Sequence, residues 1–141
     1  MKELNYEHLY GCAEINNEIL NLTQHEATKE QLDAGVINLT PAKAAEARRL
    51  LTFHDLPSER LVRDRGEKLA ILAKKEFESG DVMIAGAPFL MPYLAVSLMW
   101  RNLNPVYAYS KRQSIEKILP DGTVQKSSFF KHSGFVRFIC S

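Results

Sequence analysis

Three short polar segments hold most of the side chains in this sequence that could do chemistry: "LTQH" (22–25), "AGAP" (85–88) and "SKRQS" (110–114). With their flanks they supply Asn21, Thr23, Gln24 and His25, the amides of Gly86 and Ala87, and Ser110, Lys111, Arg112 and Ser114. The set is rich in donors and cations and has no carboxylate pair, so it suits a phosphate or another polar anion. Arg112 can fork onto two oxygens, and amides at a helix start carry the positive end of its dipole. A metal is poorly served: His25 and His132 have no Cys or Asp neighbour at ligand spacing, and "HEAT" is not an HExxH site. Neither a metal nor a cofactor is expected. Each segment also has a plainer reading. "GAP" serves as an ordinary strand exit, "SKRQS" as a solvated charge cluster at a strand end, and His25 as a cap for a helix starting near Thr28. His132 in "FFKHSGF" has the plainer reading of an edge or hairpin histidine, and His8 and His54 are read as structural residues.

These loops need strands that end on a common side. "EILNLTQH" alternates and then turns polar, and "EATKEQLDAG" follows with helix formers closed by Gly35, so a strand over 19–24, a polar loop and a short helix are predicted. "TPAKAAEARRLL" places Thr40 as N-cap and Pro41 at the first helical position. A second helix follows in "PSERLVRDRGEKLAILAKKEFESG", with Leu61, Arg65, Leu69, Leu72 and Phe77 as one stripe and Gly80 as its end. From Val82 to Trp100 the chain is uncharged but is broken by Gly86, Pro88 and Pro92. A bilayer span needs about 20 apolar residues in one helix, whereas a buried strand needs only about 4–8. "VMIA" therefore reads as a strand over 81–85, "GAP" as the strand-to-helix turn, and the remainder as a helix to about Leu103. "VYAYS" gives a third strand over 105–110. "SIEKILP", the turn at Asp121 and Gly122, and "TVQKSSFF" read as a hairpin, and "SGFVRFI" as a final strand. The expected fold is α/β: one Rossmann-like domain over 19–141, with a parallel core sheet, flanking helices and a C-terminal β-hairpin extension, preceded by an N-terminal arm over 1–18. In such sheets ligands bind beyond the carboxyl ends of the strands, where the strand order reverses, and this rule selects the three loops.

The bulk numbers fit this reading. A chain of 141 residues, 45% hydrophobic and 25% charged, suits one domain with a sizeable core. Its formal net charge of +1 provides no whole-protein field for duplex nucleic acid or an anionic membrane, so an anion must be held locally. Cys12 and Cys140 lack metal-ligand spacing and the N-terminus lacks an apolar signal segment, which points to a reducing cytoplasm; a Cys12–Cys140 disulfide is the alternative. The helix "FLMPYLAVSLMWRNL" has no polar face. Either the sheet and the other helices enclose it, or it forms a two-fold dimer contact.

"NLTQHEAT", "DVMIAGAP", "PVYAYSKRQSIE", "PDGTV" and "FKHSGFV", across about 19–138, resemble segments of a family of small uncharacterised bacterial and phage-type proteins. They are more distantly similar to the small standalone CRISPR-accessory proteins related to the CARF (CRISPR-associated Rossmann fold) domain. The helical insert from Pro41 to Ser79 and the "PDGTV" hairpin depart from that pattern. The resemblance implies a homodimer that binds a cyclic oligonucleotide second messenger, such as a cyclic oligoadenylate, in prokaryotic antiviral signalling or its viral counter-defence. Such a protein sequesters the ligand, cleaves it as a metal-independent ring nuclease, or does both. Thr23 and His25 would take the role of the first loop, Gly86 that of the second, and Ser110, Lys111 and Arg112 that of the third. In cleavage a ribose 2′-hydroxyl would attack the adjacent phosphate, Arg112 and Lys111 would stabilise the developing charge, and His25 or His132 would move a proton. An enzyme acting on a small phosphorylated or nucleoside metabolite, and an interaction module whose apolar helix docks a protein, remain as alternatives.

Overall fold

Every residue of "ILNL" (19–22) and "GDVMI" (80–84) is buried, as strands covered on both faces must be. A computed structural model describes residues 18–137; the rest of the N-terminal arm, His8, Cys12 and Cys140 lie outside the described residues. The strands are β1 (Ile19–Leu22), β2 (Val36–Asn38), β3 (Gly80–Ile84), β4 (Leu103–Ile118) and β5 (Val124–Arg137), in one mixed sheet of order β2-β1-β3-β4-β5. The first four are mutually parallel and β5 runs antiparallel to β4. The three anticipated strands are thus neighbours with their carboxyl ends on one side. β2 is an addition: it is a three-residue edge strand with only Val36 buried, too short to show a period.

The helices are α1 (Lys29–Asp33), α2 (Pro41–Leu51), α3 (Glu59–Glu76) and α4 (Met91–Trp100). Thr28, and not His25, caps α1: its hydroxyl accepts from the Gln31 amide while the Gln31 side chain accepts from the Thr28 amide. Thr40 and Pro41 open α2 as anticipated, although the Thr40 side chain makes no capping bond. In α3 the buried positions are Val62, Gly66, Leu69, Ala70 and Ala73, while Leu61 is 38% exposed, so the inward stripe is rotated from the expected one. Gly66 explains the rotation. A Cβ there would lie 3.1 Å from the Leu94 backbone nitrogen, so the small residues of α3 let α4 approach closely. The helix ends at Glu76, and Gly80 opens β3 instead of closing α3.

Leu90, Met91, Leu94, Ala95 and Leu98 are buried, so the inner side of α4 is enclosed within its own chain; Val96 (48%) and Trp100 (83%) remain exposed on the outer side. The helix stops at Trp100, short of the expected Leu103, because Asn102 adopts a positive φ of 60° and Leu103 begins β4. Residues of α2, α3 and α4 share the main core with Leu20, Leu22, Val82, Ile84 and Leu103 on one face of the sheet. A smaller cluster of Ile19, Val36, Met83 and Val106 occupies the other, beside buried Asn21, Asp81 and Asn104.

The Asp121–Gly122 turn joins a hairpin as anticipated: Leu119 donates to the Thr123 carbonyl at 2.8 Å, and Asp121 accepts from the Thr123 amide at 3.0 Å. The hairpin is longer than its sequence segments indicated. "VYAYS" and "SIEKI" fuse into β4, and "TVQKSSFF" and "SGFVR" fuse into β5 with one register shift at Tyr109/Ser110, so "SKRQS" is paired strand and not a loop. The antiparallel partner satisfies the backbone through the polar cluster, which removes the need for a turn there. β4 pairs with β3 only as far as Val106, opposite Met83. Beyond that point β4 and β5 form a two-stranded ribbon past the carboxyl ends of the parallel strands, about 40 Å long at ~3.4 Å per residue. No helix among the described residues is long and apolar enough to cross a membrane.

Candidate functional site

At the carboxyl ends of β1 and β2 a cavity of about 250 Å³ is lined by Asn21, Thr23, Gln24, His25, Glu26, Asn38, Leu39, Pro41, Ala44 and Arg48. Its floor is built by Asn21, which is only 5% exposed. The Asn21 Nδ2 donates to the His25 carbonyl and to Asn38 Oδ1, both at 2.8 Å, and its Oδ1 accepts from the Thr23 amide at 3.0 Å and the Thr23 hydroxyl at 2.7 Å. Asn38 Oδ1 also accepts from the Ala27 amide at 3.0 Å. The loop "NLTQH" is therefore folded around a side-chain amide in an Asx-type turn that also ties β1 to β2. With its hydrogen-bonding capacity spent internally, Asn21 shapes the site and has little left for a ligand.

The loop is fastened from above by the last turn of α2. Arg48 Nε donates to the Gln24 carbonyl at 3.4 Å, and Gln24 Nε2 donates to the Leu51 carbonyl at 3.1 Å. Thr23, His25, Glu26, Asn38 and Arg48 line the resulting pocket. Arg48 is exposed and has no carboxylate within ion-pair distance among the described residues, whereas its neighbour Arg49 is paired with Glu46 at 2.6 Å. This guanidinium keeps donor capacity for an anion, Glu26 can accept from a hydroxyl or amine, and His25 can exchange a proton.

Of the residues anticipated from sequence, Asn21, Thr23, Gln24 and His25 come together in this pocket, and the others do not line it. Connections leave β1 in opposite directions, to β2 and, through β2, to β3, so the strand order reverses between β1 and β3. The end of α2 spans that position: Leu51 accepts from Gln24 and also places Cδ2 3.5 Å from where a Cβ on Gly86 would stand. Met91 Cε lies 3.3 Å from the same point. The space beside the Gly86 Cα is thus taken by Leu51 and Met91, and Ala87 packs against the main core, while Gly86 itself stays exposed and outside the pocket lining. Ser110, Lys111, Arg112 and Ser114 are on the ribbon, opposite His132, Lys131, Phe130 and Ser128 respectively, and Arg112 donates to the Ser128 hydroxyl at 3.1 Å. His132 is also on the ribbon; its amide donates to Glu30 of α1 at 3.0 Å, and its ring lies 4.9 Å from that of Phe135.

Asn38, Glu26 and Arg48 are additions to the set anticipated from sequence. Arg48 had a faint signal: Pro41, Ala44 and Arg48 recur at helical spacing on one face of α2, but the direction of that face is set by tertiary packing. The described residues contain no group of three or more His, Cys, Asp or Glu that could hold a metal ion.

Fold and site together define an α/β protein with a parallel four-stranded core, an antiparallel ribbon and a polar pocket where β1 and β2 end. Residues 17–136 match the family described as the Uncharacterized protein MJ1673 family, and the chain belongs to it. No curated protein and no solved structure matches the chain.

Proposed function

We propose that this protein is a Rossmann-like, CARF-like cytoplasmic domain that binds a nucleotide-type anion in the pocket at the ends of β1 and β2, with a cyclic oligoadenylate as the leading candidate. The observation that carries this reading is the Arg48 guanidinium, without a carboxylate partner among the described residues, beside His25 and Glu26 on a loop already fixed by Asn21. Arg48 supplies the contact for phosphate, and Glu26 and Asn38 supply partners for ribose hydroxyls or a base edge. A volume near 250 Å³ is below the roughly 300–1,000 Å³ of drug-sized sites, so one pocket holds about one nucleotide unit. A ring of several nucleotides would then be shared between the two pockets of a homodimer. Sequestration needs only this pocket. Cleavage needs in addition a proton-transfer group, and His25 is the histidine that lines it. Lys111, Arg112 and His132 enter that reaction only if the ribbon reaches the far side of the ligand.

Calorimetry with cyclic oligoadenylates of several ring sizes and with adenosine monophosphate tests the reading. Arg48→Ala is expected to weaken binding about ten- to a hundredfold, the value of a charge-assisted contact of roughly 1.5–3 kcal/mol. Binding persists in EDTA. His25→Ala distinguishes the two modes: a cleaving enzyme loses turnover while keeping most of its affinity, and a sequestering protein has no turnover to lose. If wild type binds none of these nucleotides, the reading is wrong.

The outer side of α4 favours a protein contact in addition. Val96 and Trp100 stand exposed beside Tyr93, Arg63 and Arg101, around an open groove of about 520 Å³. We assign this side to the homodimer contact, and expect Trp100→Asp to convert a dimer to a monomer in light scattering. A wild-type monomer at micromolar concentration rules the assignment out.

A further inference from the structure

The ribbon differs in charge from the rest of the chain. Between Tyr107 and Arg137 the basic residues are Lys111, Arg112, Lys117, Lys126, Lys131 and Arg137, against Glu116 and Asp121. The whole chain has 18 Lys and Arg against 17 Asp and Glu, so outside the ribbon acidic residues predominate. The near-neutral total hides a basic ribbon.

The register sorts these charges by face, because directly opposed residues of an antiparallel pair point to the same side. One face carries Arg112, Glu116 and Lys126, with Lys126 paired to Glu116 at 3.6 Å. The other carries Tyr109, Lys111, Ile115 and Lys117 from β4 and Lys131 and Phe129 from β5, and no acidic residue. The three lysines are exposed, and none has a carboxylate within ion-pair distance among the described residues. Lys111 and Lys131 are direct cross-strand partners. Like charges at that position destabilise a ribbon, and a two-stranded ribbon is only marginally stable alone. A polyanion lying across the pair removes the repulsion. Beside it, Tyr109 is 57% exposed and Phe129 42% exposed, so both aromatic residues offer solvent-accessible surface next to the lysines.

From this arrangement we infer that the acid-free face of the β4–β5 ribbon is a binding surface for single-stranded nucleic acid, with Lys111, Lys117 and Lys131 on the phosphates and Tyr109 and Phe129 stacking on bases. A single strand fits better than a duplex, whose bases are already stacked and closed to the rings. The site is separate from the nucleotide pocket and does not depend on how that pocket is read.

The test is fluorescence anisotropy of the full chain with a labelled mixed-sequence strand of about 20 nucleotides, longer than the ~4–16 nucleotides covered by one single-strand-binding module. Wild type is expected to bind with a salt slope near −2, from about −0.7 per phosphate contact and three lysines. Lys111→Glu turns the repulsive pair with Lys131 into an attractive one, so the ribbon becomes no less stable while strand affinity falls at least tenfold. Phe129→Ala and Tyr109→Ala are each expected to lower affinity about five- to a hundredfold by loss of stacking. Thermal unfolding of every variant shows whether a loss of binding is a loss of fold. Unchanged affinity in a folded Lys111→Glu protein overturns the inference. So does a duplex of the same sequence binding as tightly as the strand, and so does a wild-type ribbon that is occupied by a second copy of the chain and binds no strand at low salt.

Discussion

Replacing Asn21 by Ala tests how the pocket is held. The side chain makes four hydrogen bonds, but deleting it does not strand four partners. The His25 carbonyl still has the Thr23 hydroxyl at 3.1 Å, and Asn38 Oδ1 still has the Ala27 amide at 3.0 Å. The Thr23 hydroxyl can turn wholly to the His25 carbonyl. Only the Thr23 amide loses its acceptor outright, at a cost of about 1–3 kcal/mol, and the remaining bonds add about 0.5–1.5 kcal/mol each before relaxation. With non-additivity, the expected loss is roughly 2–4 kcal/mol out of a total stability of about 5–15 kcal/mol. Urea unfolding followed by far-ultraviolet circular dichroism measures it; Trp100, 83% exposed, is a poor fluorescent reporter. In heat the midpoint should fall by roughly 5–15 °C. Asn21→Asp should cost more, because it keeps the acceptor for Thr23 but sets a buried negative charge against two oxygen atoms that had received N–H groups. Nucleotide affinity should fall in both variants although neither loses a ligand contact. A cost below about 1 kcal/mol for Asn21→Ala would refute the view that this amide organises the loop.

The remaining predictions concern the frame of the site. Arg137→Ala leaves the Asp81 carboxylate, 1% exposed and paired only with Arg137 among the described residues, without a countercharge; urea unfolding should show a loss of about 3–5 kcal/mol, largely recovered in Asp81→Leu/Arg137→Leu. Gly66→Ala drives a methyl group into the Leu94 and Tyr93 backbone at 3.1–3.2 Å and should cost about 1–3 kcal/mol by the same measurement, with no effect on the ribbon. The Asp121 carboxyl is held below the usual range by the Thr123 hydroxyl and then by the Thr123 amide. Because the folded value is depressed, its contribution to the turn is present at neutral pH and is lost as pH falls through the depressed value. The Thr123 amide resonance should shift over that acidic window in wild type and not in Asp121→Ala.

Local pattern alone pointed to strands over 19–24 and 81–85, which the fold places at 19–22 and 80–84, and to the opening of α2 at Thr40–Pro41, the Asp121–Gly122 turn and the polar segment holding Asn21, Thr23, Gln24 and His25. Each depends on contacts within a few residues: a charge-free run, a proline fixed at a first helical turn, a short polar side chain bonding its own backbone. Tertiary structure decided the rest. β2 is defined by its backbone pairing with β1, to which Asn21 adds a side-chain bond to Asn38, and its three residues carry no pattern of their own. The inward face of α3 was set by how closely α4 approaches Gly66, a distance that hydrophobic period does not encode. "SKRQS" reads as a loop until β5 pairs with it, since a polar cluster can remain in a strand wherever a partner completes its backbone hydrogen bonds. Arg48 joined the pocket, and Gly86 left it, for one reason: the last turn of α2 packs across the end of β1, bringing a guanidinium to the loop and Leu51 into the space beside the glycine. That contact spans more than twenty residues of sequence, and only the folded chain brings it together.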